Sequence, residues 1–369
     1  MDLPLIDNYQ ELFLNDTPMI DLRAPVEFAQ GAFPSAQSMP LMSDEERKLV
    51  GTCYKEQGQE AAIELGHQLV SGEIKAERIA GWANFFEQHP DGVLYCFRGG
   101  LRSRITQRWI FEETGIAYPR VNGGYKQLRR FLIDDLAQSC AVMQPYILSG
   151  RTGTGKTLLL NSVKRSIDLE GIFHHRGSSF GRHPEPQPTQ INVENQLAIE
   201  LLKQRLEGDD ASFKVLFEDE GGNIGSRSVP APLLSLTEQA PVVVLEASME
   251  TRIGVVFDEY ITASLAEYQQ YHGEQQGFDI WAANLQLSLA RVERRLGGMR
   301  YKIFSEVMDS AIAAHRNGET SGHCQWIELL LGEYYDPMYD YQLSKKADRI
   351  LFRGNAAAIA DYLLEQGVS

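Results

Sequence analysis

Paired cysteines are absent from this 369-residue chain. Its four cysteines, Cys53, Cys96, Cys140 and Cys324, are scattered with no CxxC spacing, so neither a zinc knuckle nor a disulfide framework is expected. Long apolar runs are absent as well, none approaching the roughly 18 residues of a membrane span. The N-terminal stretch MDLPLIDNYQELFLN carries acidic residues and no basic region ahead of an apolar core, so no secretory signal is expected. Positive charge is scarce: 35 Lys and Arg stand against 50 Asp and Glu, for a net charge of -15. That balance excludes a generally sticky nucleic-acid binder, because phosphate must be met by Lys or Arg where the partner lies. Together these absences lead us to expect a reduced, cytoplasmic protein with no membrane contact.

What is present fits an α/β protein. The length exceeds that of a usual single core, so two domains are expected. Pro18 to Arg23 and Gly92 to Cys96 read as buried strands, with helical sequence from Ala61 to Gln88 between them. Strands separated by helices suggest a parallel sheet. A new strand, Pro145 to Ser149, follows the segment DDLAQSCAVMQ, which places the boundary between domains of residues 1–138 and 143–369. In the second domain Lys214 to Phe217 and Pro241 to Leu245 read as strands and Asn192 to Leu206 as an amphipathic helix, with Val193, Leu197, Leu201 and Leu202 toward a core. From about Phe257 the pattern is mostly helical, ending in a short helix after Asn355. No repeat of fixed period is found.

Two short motifs carry chemistry. The first is Cys96-Phe-Arg-Gly-Gly-Leu-Arg-Ser103, with five residues between Cys96 and Arg102. It follows a strand, where active residues of parallel sheets tend to lie. Arg98, Arg102 and a helix beginning near Leu101 would each favour a thiolate. The spacing suits a cysteine phosphatase, and the same ingredients build the loops of sulfur- and selenium-carrying proteins.

The second motif, Gly150-Arg151-Thr152-Gly153-Thr154-Gly155-Lys156-Thr157, matches G-x-x-x-x-G-K-[ST] in full, between a strand and an expected helix from Leu158 to Ser166. Backbone N–H groups would ring a diphosphate, Lys156 would reach its outer phosphate, and Thr157 would hold Mg2+. Glu218 and Asp219 are the first candidates for the metal carboxylate and Glu246 the second. By default the cradle suits hydrolysis or transfer of an ATP or GTP phosphate; the alternative is a diphosphate leaving some other molecule.

Basic residues gather in two places. Between Arg98 and Arg130 eight Lys and Arg face two Glu, and between Arg291 and Lys302 five face one. These are local surfaces of the kind an RNA partner needs; Arg129, Arg130, Arg294 and Arg295 are the candidate RNA contacts.

The first half, with Asp21-Leu-Arg23, Glu27-Phe28, Gly31 to Pro40 and the Cys96 loop, resembles a rhodanese domain. The whole chain is similar to the tRNA 2-selenouridine synthase family. That similarity extends through GTCYKEQG (51–58), VNGGYK (121–126), HRGSSFG (175–181), EDEGGNIG (218–225) and YYDPMY (334–339). The resemblance implies a rhodanese-like domain followed by a P-loop domain of the NTPase type with a helical C-terminal extension. It implies an enzyme that turns wobble-position 2-thiouridine of tRNA into 2-selenouridine. The route would be S-geranylation from geranyl diphosphate, then replacement by selenium from selenophosphate, with a selenophosphate-supplying enzyme as a further partner. Cys96 would carry selenium, and Gly150 to Thr157 would hold the diphosphate. Two departures stand out. The Cys96 loop is one residue longer than many sulfurtransferase loops, and the G-H-I-P-G-A element common in rhodaneses reads Gly31-Ala-Phe-Pro-Ser-Ala36 here. The alternatives are a cysteine phosphatase fused to a P-loop kinase, and a nucleotide-switched RNA-binding module.

Overall fold

The computed structural model describes residues 3–207 and 212–368. The chain forms two compact units, one of residues 1–139 and 189–206, the other of residues 140–188 and 207–369.

In the first unit five parallel strands lie in the order Leu5–Ile6, Arg120–Val121, Val93–Tyr95, Met19–Asp21 and Ala36–Ser38. The inner strands Met19–Asp21 and Val93–Tyr95 are fully buried because helices cover them, while the edge strand Ala36–Ser38 is largely exposed. Ile20, Leu22 and Leu94 pack with Trp82, Phe86 and Ile110 from the helices Gly72–Gln88 and Leu101–Thr114, as a parallel sheet requires. The expected helix from Ala61 to Gln88 is two, Gln59–Leu69 and Gly72–Gln88. Val70 and Ser71 leave the helix and Gly72 takes a positive φ of 54°, so the chain turns where the apolar spacing runs on unbroken.

The second unit also has a parallel sheet, ordered Ile350–Gly354, Val242–Leu245, Met143–Ser149, Phe213–Glu218 and Ser166–Ile167. A small antiparallel pair, Asn223–Ile224 with Arg227–Ser228, is added beside it in sequence. Helices from Met249 to Ser344 surround a second core built on Trp281, Phe304, Met308 and Trp326. The edge strand Ile350–Gly354 interrupts the helical pattern expected beyond Phe257, since its alternating exposure gives only a weak apolar signal. The helix after Asn355 is present as Ala356–Glu365, with the Asn355 side chain accepting the Ala358 N–H at 3.0 Å. Among the described residues no helix is long and apolar enough to cross a membrane.

The division differs from a single cut near residue 140 at one place. The helix Gln190–Leu206 buries Val193, Leu197, Leu201 and Leu202 as its spacing predicts, but it groups with the first unit. Its polar residues explain this: Asn192 accepts the Ala32 N–H at 2.7 Å, Asn195 donates to the Ala32 carbonyl at 2.8 Å, and Glu194 pairs with Arg129. Apolar periodicity shows that a face is buried and not which core receives it.

One buried ion pair organises the ends of the first sheet. Arg23 donates from Nη2 to Asp21 Oδ2 at 2.6 Å and to the Gly31 carbonyl at 2.7 Å, and lies over the Tyr125 ring at 3.6 Å. The Tyr95 hydroxyl donates to the same carboxylate at 2.9 Å. Both charges are almost fully buried, so removing one strands the other. Arg23→Met should therefore destabilise the protein by about 3 kcal/mol, read as a lower urea midpoint. An unchanged midpoint would show that Asp21 is not held by this pair.

Candidate functional site

Cys96 follows the strand Val93–Tyr95 directly and is 3% exposed. Its loop is fixed from beneath by the VNGGYK segment: Tyr125 N–H donates to the Cys96 carbonyl at 2.9 Å and Lys126 N–H to the Phe97 carbonyl at 3.0 Å. Gly124 makes this approach possible. It has a φ of 59°, and a Cβ there would collide with the Cys96 carbonyl oxygen.

The thiol of Cys96 donates to Ser103 Oγ at 3.3 Å, and the Ser103 hydroxyl donates to the Gly100 carbonyl at 3.0 Å. Ser103 is fully buried. Rotation of its O–H toward sulfur would give a Cys96 thiolate a donor. Arg120 donates to the Gly99 carbonyl at 2.9 Å. Burial and repulsion from Arg104 hold its guanidinium below its ordinary pKa, while attraction to Cys96 works the other way. Ser103, in the helix Leu101–Thr114, and Arg120, in the strand Arg120–Val121, thus contact the Cys96 loop in roles that the motif alone did not assign. Arg120 was legible only as one member of a basic cluster, and Ser103 only as a letter of CFRGGLRS.

The two arginines chosen from the motif lie differently. Arg98 is exposed, with its guanidinium 5.8 Å from the Phe97 ring, free to meet an incoming anion. Arg102 turns to Glu27, at 2.8 Å, and Arg47 reaches the same carboxylate at 3.0 Å. Burial raises the pKa of Glu27, but Arg102, the Ala24 N–H and Arg47 outweigh it and hold the carboxyl below its usual range. Arg102 thus braces the start of the helix Leu101–Thr114.

In the second unit Gly150 to Thr157 forms the loop after the strand Met143–Ser149. Gly153, at φ 79°, lies so close to the Arg252 carbonyl that a Cβ would stand 2.6 Å from it. Thr154 Oγ1 donates to the Arg151 carbonyl at 3.0 Å and Lys156 Nζ to the Gly150 carbonyl at 3.2 Å, so the lysine folds back over its own loop. The helix that follows is Lys156–Leu160 and does not run to Ser166. The hydroxyls of Ser162 and Ser166 donate to the Leu159, Leu160 and Val163 carbonyls, closing the helix so that the chain can enter the strand Ser166–Ile167. The loop's own N–H groups, more than a long helix, make the cradle.

Around Lys156 stand carboxyls. Burial lowers its pKa, yet Tyr339, Glu170, Glu220 and Glu218 together raise it above the ordinary value. Glu218 accepts the Leu169 and Glu170 N–H groups through Oε2 at 3.0 and 3.2 Å, while Oε1 is buried without a partner. Burial first, and Asp168 next, push Glu218 up to about 8. Glu170 is raised too, by burial and by Glu218 and Glu220. Asp219 is differently placed: it accepts the Ser149 hydroxyl at 2.6 Å and pairs with Lys346. Glu246 is exposed, 3.9 Å from Arg353. Of the three candidate metal carboxylates, Glu218 alone has a buried oxygen lacking a partner. Among the described residues no three His, Cys, Asp or Glu side chains group as a metal site. Magnesium on a diphosphate needs only one or two protein carboxylates, so Glu218 with Thr157 fits that use.

The YYDPMY segment clamps the loop. Arg252 donates to both Asp336 oxygens at 2.9 and 2.5 Å and to the Thr152 carbonyl at 2.9 Å. Arg151 reaches Asp340 at 2.8 Å and Asp336 at 3.6 Å. The Tyr339 ring lies 5.8 Å from Lys156 Nζ. Arg252 is almost fully buried, and its partner lies 84 residues away in sequence. Of the candidate RNA contacts, Arg130 is exposed beside Asp134, Arg294 and Arg295 are exposed in the last turn of the helix Glu274–Leu296, and Arg129 is tied to Glu194 and Asn195.

Comparison with known proteins gives this geometry its setting. The family model described as "tRNA 2-selenouridine synthase AAA domain" matches residues 143–368. The chain is 51% identical over 361 residues to the tRNA 2-selenouridine synthase of Bordetella petrii, covering 97% of this chain and 95% of that protein. It is 50% identical to the Hahella chejuensis protein of the same name, over 96% of this chain and 93% of that one. With the Marinobacter nauticus synthase the identity is 51%, over 97% of each. A crystal structure of the N-terminal domain of an ATP/GTP binding protein from Clostridium difficile 630 aligns with 35% of this chain and 98% of its own length. Its identity is 28% and its TM-score 0.31, too low to bear on the fold.

The clamp leads to a prediction. Asp336→Ala leaves Arg252 buried without its carboxylate and should destabilise the protein by about 3 kcal/mol. In calorimetry, binding of inorganic diphosphate should weaken at least about tenfold with Lys156→Ala, the loss of one charge-assisted hydrogen bond. Equal affinity in that variant would remove Lys156 from the cradle.

Proposed function

The chain belongs to the tRNA 2-selenouridine synthase family, and from that membership we propose that it converts wobble-position 2-thiouridine of tRNA into 2-selenouridine in two steps. In this reading the first unit is rhodanese-like and presents Cys96. The second is the P-loop unit, extended by the helices from Met249 to Ser344. What carries the reading is that one chain holds two separate anion-adapted centres, a buried thiol on a braced loop and a diphosphate cradle. A single transfer would need only one.

In the first step the thiocarbonyl sulfur attacks C1 of geranyl diphosphate. A C–S bond forms, the C–O bond to diphosphate breaks, and the N3 proton of the base is released. The residues Gly150 to Thr157 would receive the diphosphate, their N–H groups meeting the charge that grows on its oxygens. Lys156 would swing from the Gly150 carbonyl to the outer phosphate. Magnesium, held by Thr157 and Glu218, would neutralise the departing charge. Arg151, Thr152, Gly153, Thr154 and Gly155 complete the ring, which Asp336 and Asp340 keep in shape through Arg252 and Arg151.

The second step exchanges sulfur for selenium. The geranyl thioether is the better leaving group, because sulfur can depart as a thiol once C2 has been attacked. The C2–S bond breaks and a C2–Se bond forms; geranylthiol leaves with a proton, and water takes the phosphoryl group of selenophosphate away as phosphate. The sum needs no oxidant or reductant. The Cys96 thiol would meet the selenium of selenophosphate at the loop as a hydrogen-bond donor, with no S–Se bond formed, while Ser103 and the loop N–H groups surround the sulfur, Arg98 attracts selenophosphate and Arg102 braces the helix. A phosphatase reading is less favoured: Glu27, the carboxylate bound to Arg102, is kept anionic, whereas phosphoester cleavage needs a proton donor.

Nucleoside mass spectrometry of 2-thiouridine tRNA incubated with the protein, Mg2+ and both donors tests the scheme, with S-geranyl-2-thiouridine and then 2-selenouridine expected. Cys96→Ala should stop selenium incorporation and leave geranylation within about twofold, and Lys156→Ala should cut geranylation by at least about tenfold. Selenium uptake at the normal rate without Cys96 would refute its role.

A further inference from the structure

The first unit contains a cleft of about 710 Å³ to which the chemistry above gives no role. It lies within the size range of small-molecule sites, roughly 300–1,000 Å³. The helices Asp44–Gln57, Gln59–Leu69 and Leu101–Thr114 form its walls, and Met42, Ile63, Val70, Ile105 and Trp109 line the apolar interior. The stretch GTCYKEQG, otherwise without a part in the reaction, contributes Gly51, Thr52, Tyr54 and Lys55. Leu101 and Arg102 also line it; they begin the helix that closes the Cys96 loop and carries Ser103, the partner of the thiol.

The charges are one-sided. Arg47, Lys48, Lys55 and Arg102 line the cleft, and no Asp or Glu does. Arg47 and Arg102 share Glu27, while Lys48 and Lys55 are exposed and form no ion pair among the described residues. In a chain of net charge -15, an apolar cleft edged by unpaired cations is matched to an apolar chain attached to a phosphate.

We propose that this cleft holds the geranyl chain of the S-geranyl-2-thiouridine nucleotide while C2 is presented to the Cys96 loop, with the tRNA phosphates meeting Lys48 and Lys55. The inference rests on the two-step reading. After the first step the prenyl chain is attached to the RNA, so it must be housed wherever selenium meets C2. Unalkylated 2-thiouridine has no use for such a space. The cleft then makes the exchange selective for the geranylated base and receives the chain that departs as geranylthiol.

Gly66 offers a direct test. It lines the cleft, and only Val50 Cγ2, at 3.9 Å, lies within reach of a Cβ added there. A larger side chain can therefore grow into the space. Anticodon stem-loops bearing S-geranyl- or S-methyl-2-thiouridine would be given to full-length protein with selenophosphate. Wild type should exchange the geranyl substrate in preference to the methyl one. Gly66→Phe should lower kcat/KM for the geranyl substrate at least about tenfold and change the methyl substrate by less than about twofold, with geranylation of 2-thiouridine RNA intact. The exposed double variant Lys48→Glu, Lys55→Glu, which does not touch the core, should raise KM for geranylated RNA with kcat unchanged. Retention of the geranyl preference in Gly66→Phe together with an unchanged KM in the double variant would overturn the inference. So would a Gly66→Phe protein that loses geranylation and keeps exchange, since the cleft would then serve geranyl diphosphate. If wild type neither makes nor consumes the geranylated base, the two-step reading itself falls.

Discussion

The carbonyl of Cys96 accepts the N–H of Tyr125 at 2.9 Å, and this bond exists because Gly124 has no Cβ to keep the two strands of backbone apart. Everything about the sulfur follows from that contact. The loop between Cys96 and the helix at Leu101 is held from below, so its remaining N–H groups and the Ser103 hydroxyl are available to the sulfur. The second unit uses the same constraint at the loop Gly150 to Thr157. Gly153 lies against the Arg252 carbonyl, and Arg252 in turn donates to the Thr152 carbonyl. Backbone resting on backbone leaves less freedom than side-chain packing, and a loop that must fit an anion benefits from having little to lose.

Charge is handled inward in both units. Although basic residues are outnumbered, several arginines are paired inside: Arg23 with Asp21, Arg102 with Glu27, Arg252 with Asp336. Each fixes a loop or strand end near a candidate centre. In the second unit the reverse also occurs, carboxyls crowding a single lysine. Burial raises Glu170, Glu218 and Glu220 above the usual carboxyl range, which reflects the cost of crowding carboxylates together out of water. Such a site is suited to a diphosphate accompanied by a cation more than to a bare anion.

The cations without internal partners then become informative. Lys48 and Lys55 edge the apolar cleft, and Arg294 and Arg295 lie exposed in the other unit. Counting basic residues along the chain gave weight to Arg129, which proves to fasten the helix Gln190–Leu206. It gave none to Lys48 and Lys55, which sit in a locally acidic stretch. Linear charge density and surface charge part company because an ion pair joins residues far apart in sequence.

The sequence by itself marked out the two motif-bearing loops and the parallel α/β class. Each of these is written in local signals: a strand, glycines and a nucleophile or lysine within about ten residues. Tertiary structure alone decided what those loops touch. It turned Arg102 away from the thiol and onto Glu27, supplied Ser103 and Arg120, and separated Glu218 from its neighbour Asp219 by giving one a free buried oxygen and the other two partners. It also assigned the helix Gln190–Leu206 to the first unit and opened the cleft beside the Cys96 helix. Side-chain partnership and cavity volume depend on which distant segments meet, and neither periodicity nor motif spacing encodes that meeting.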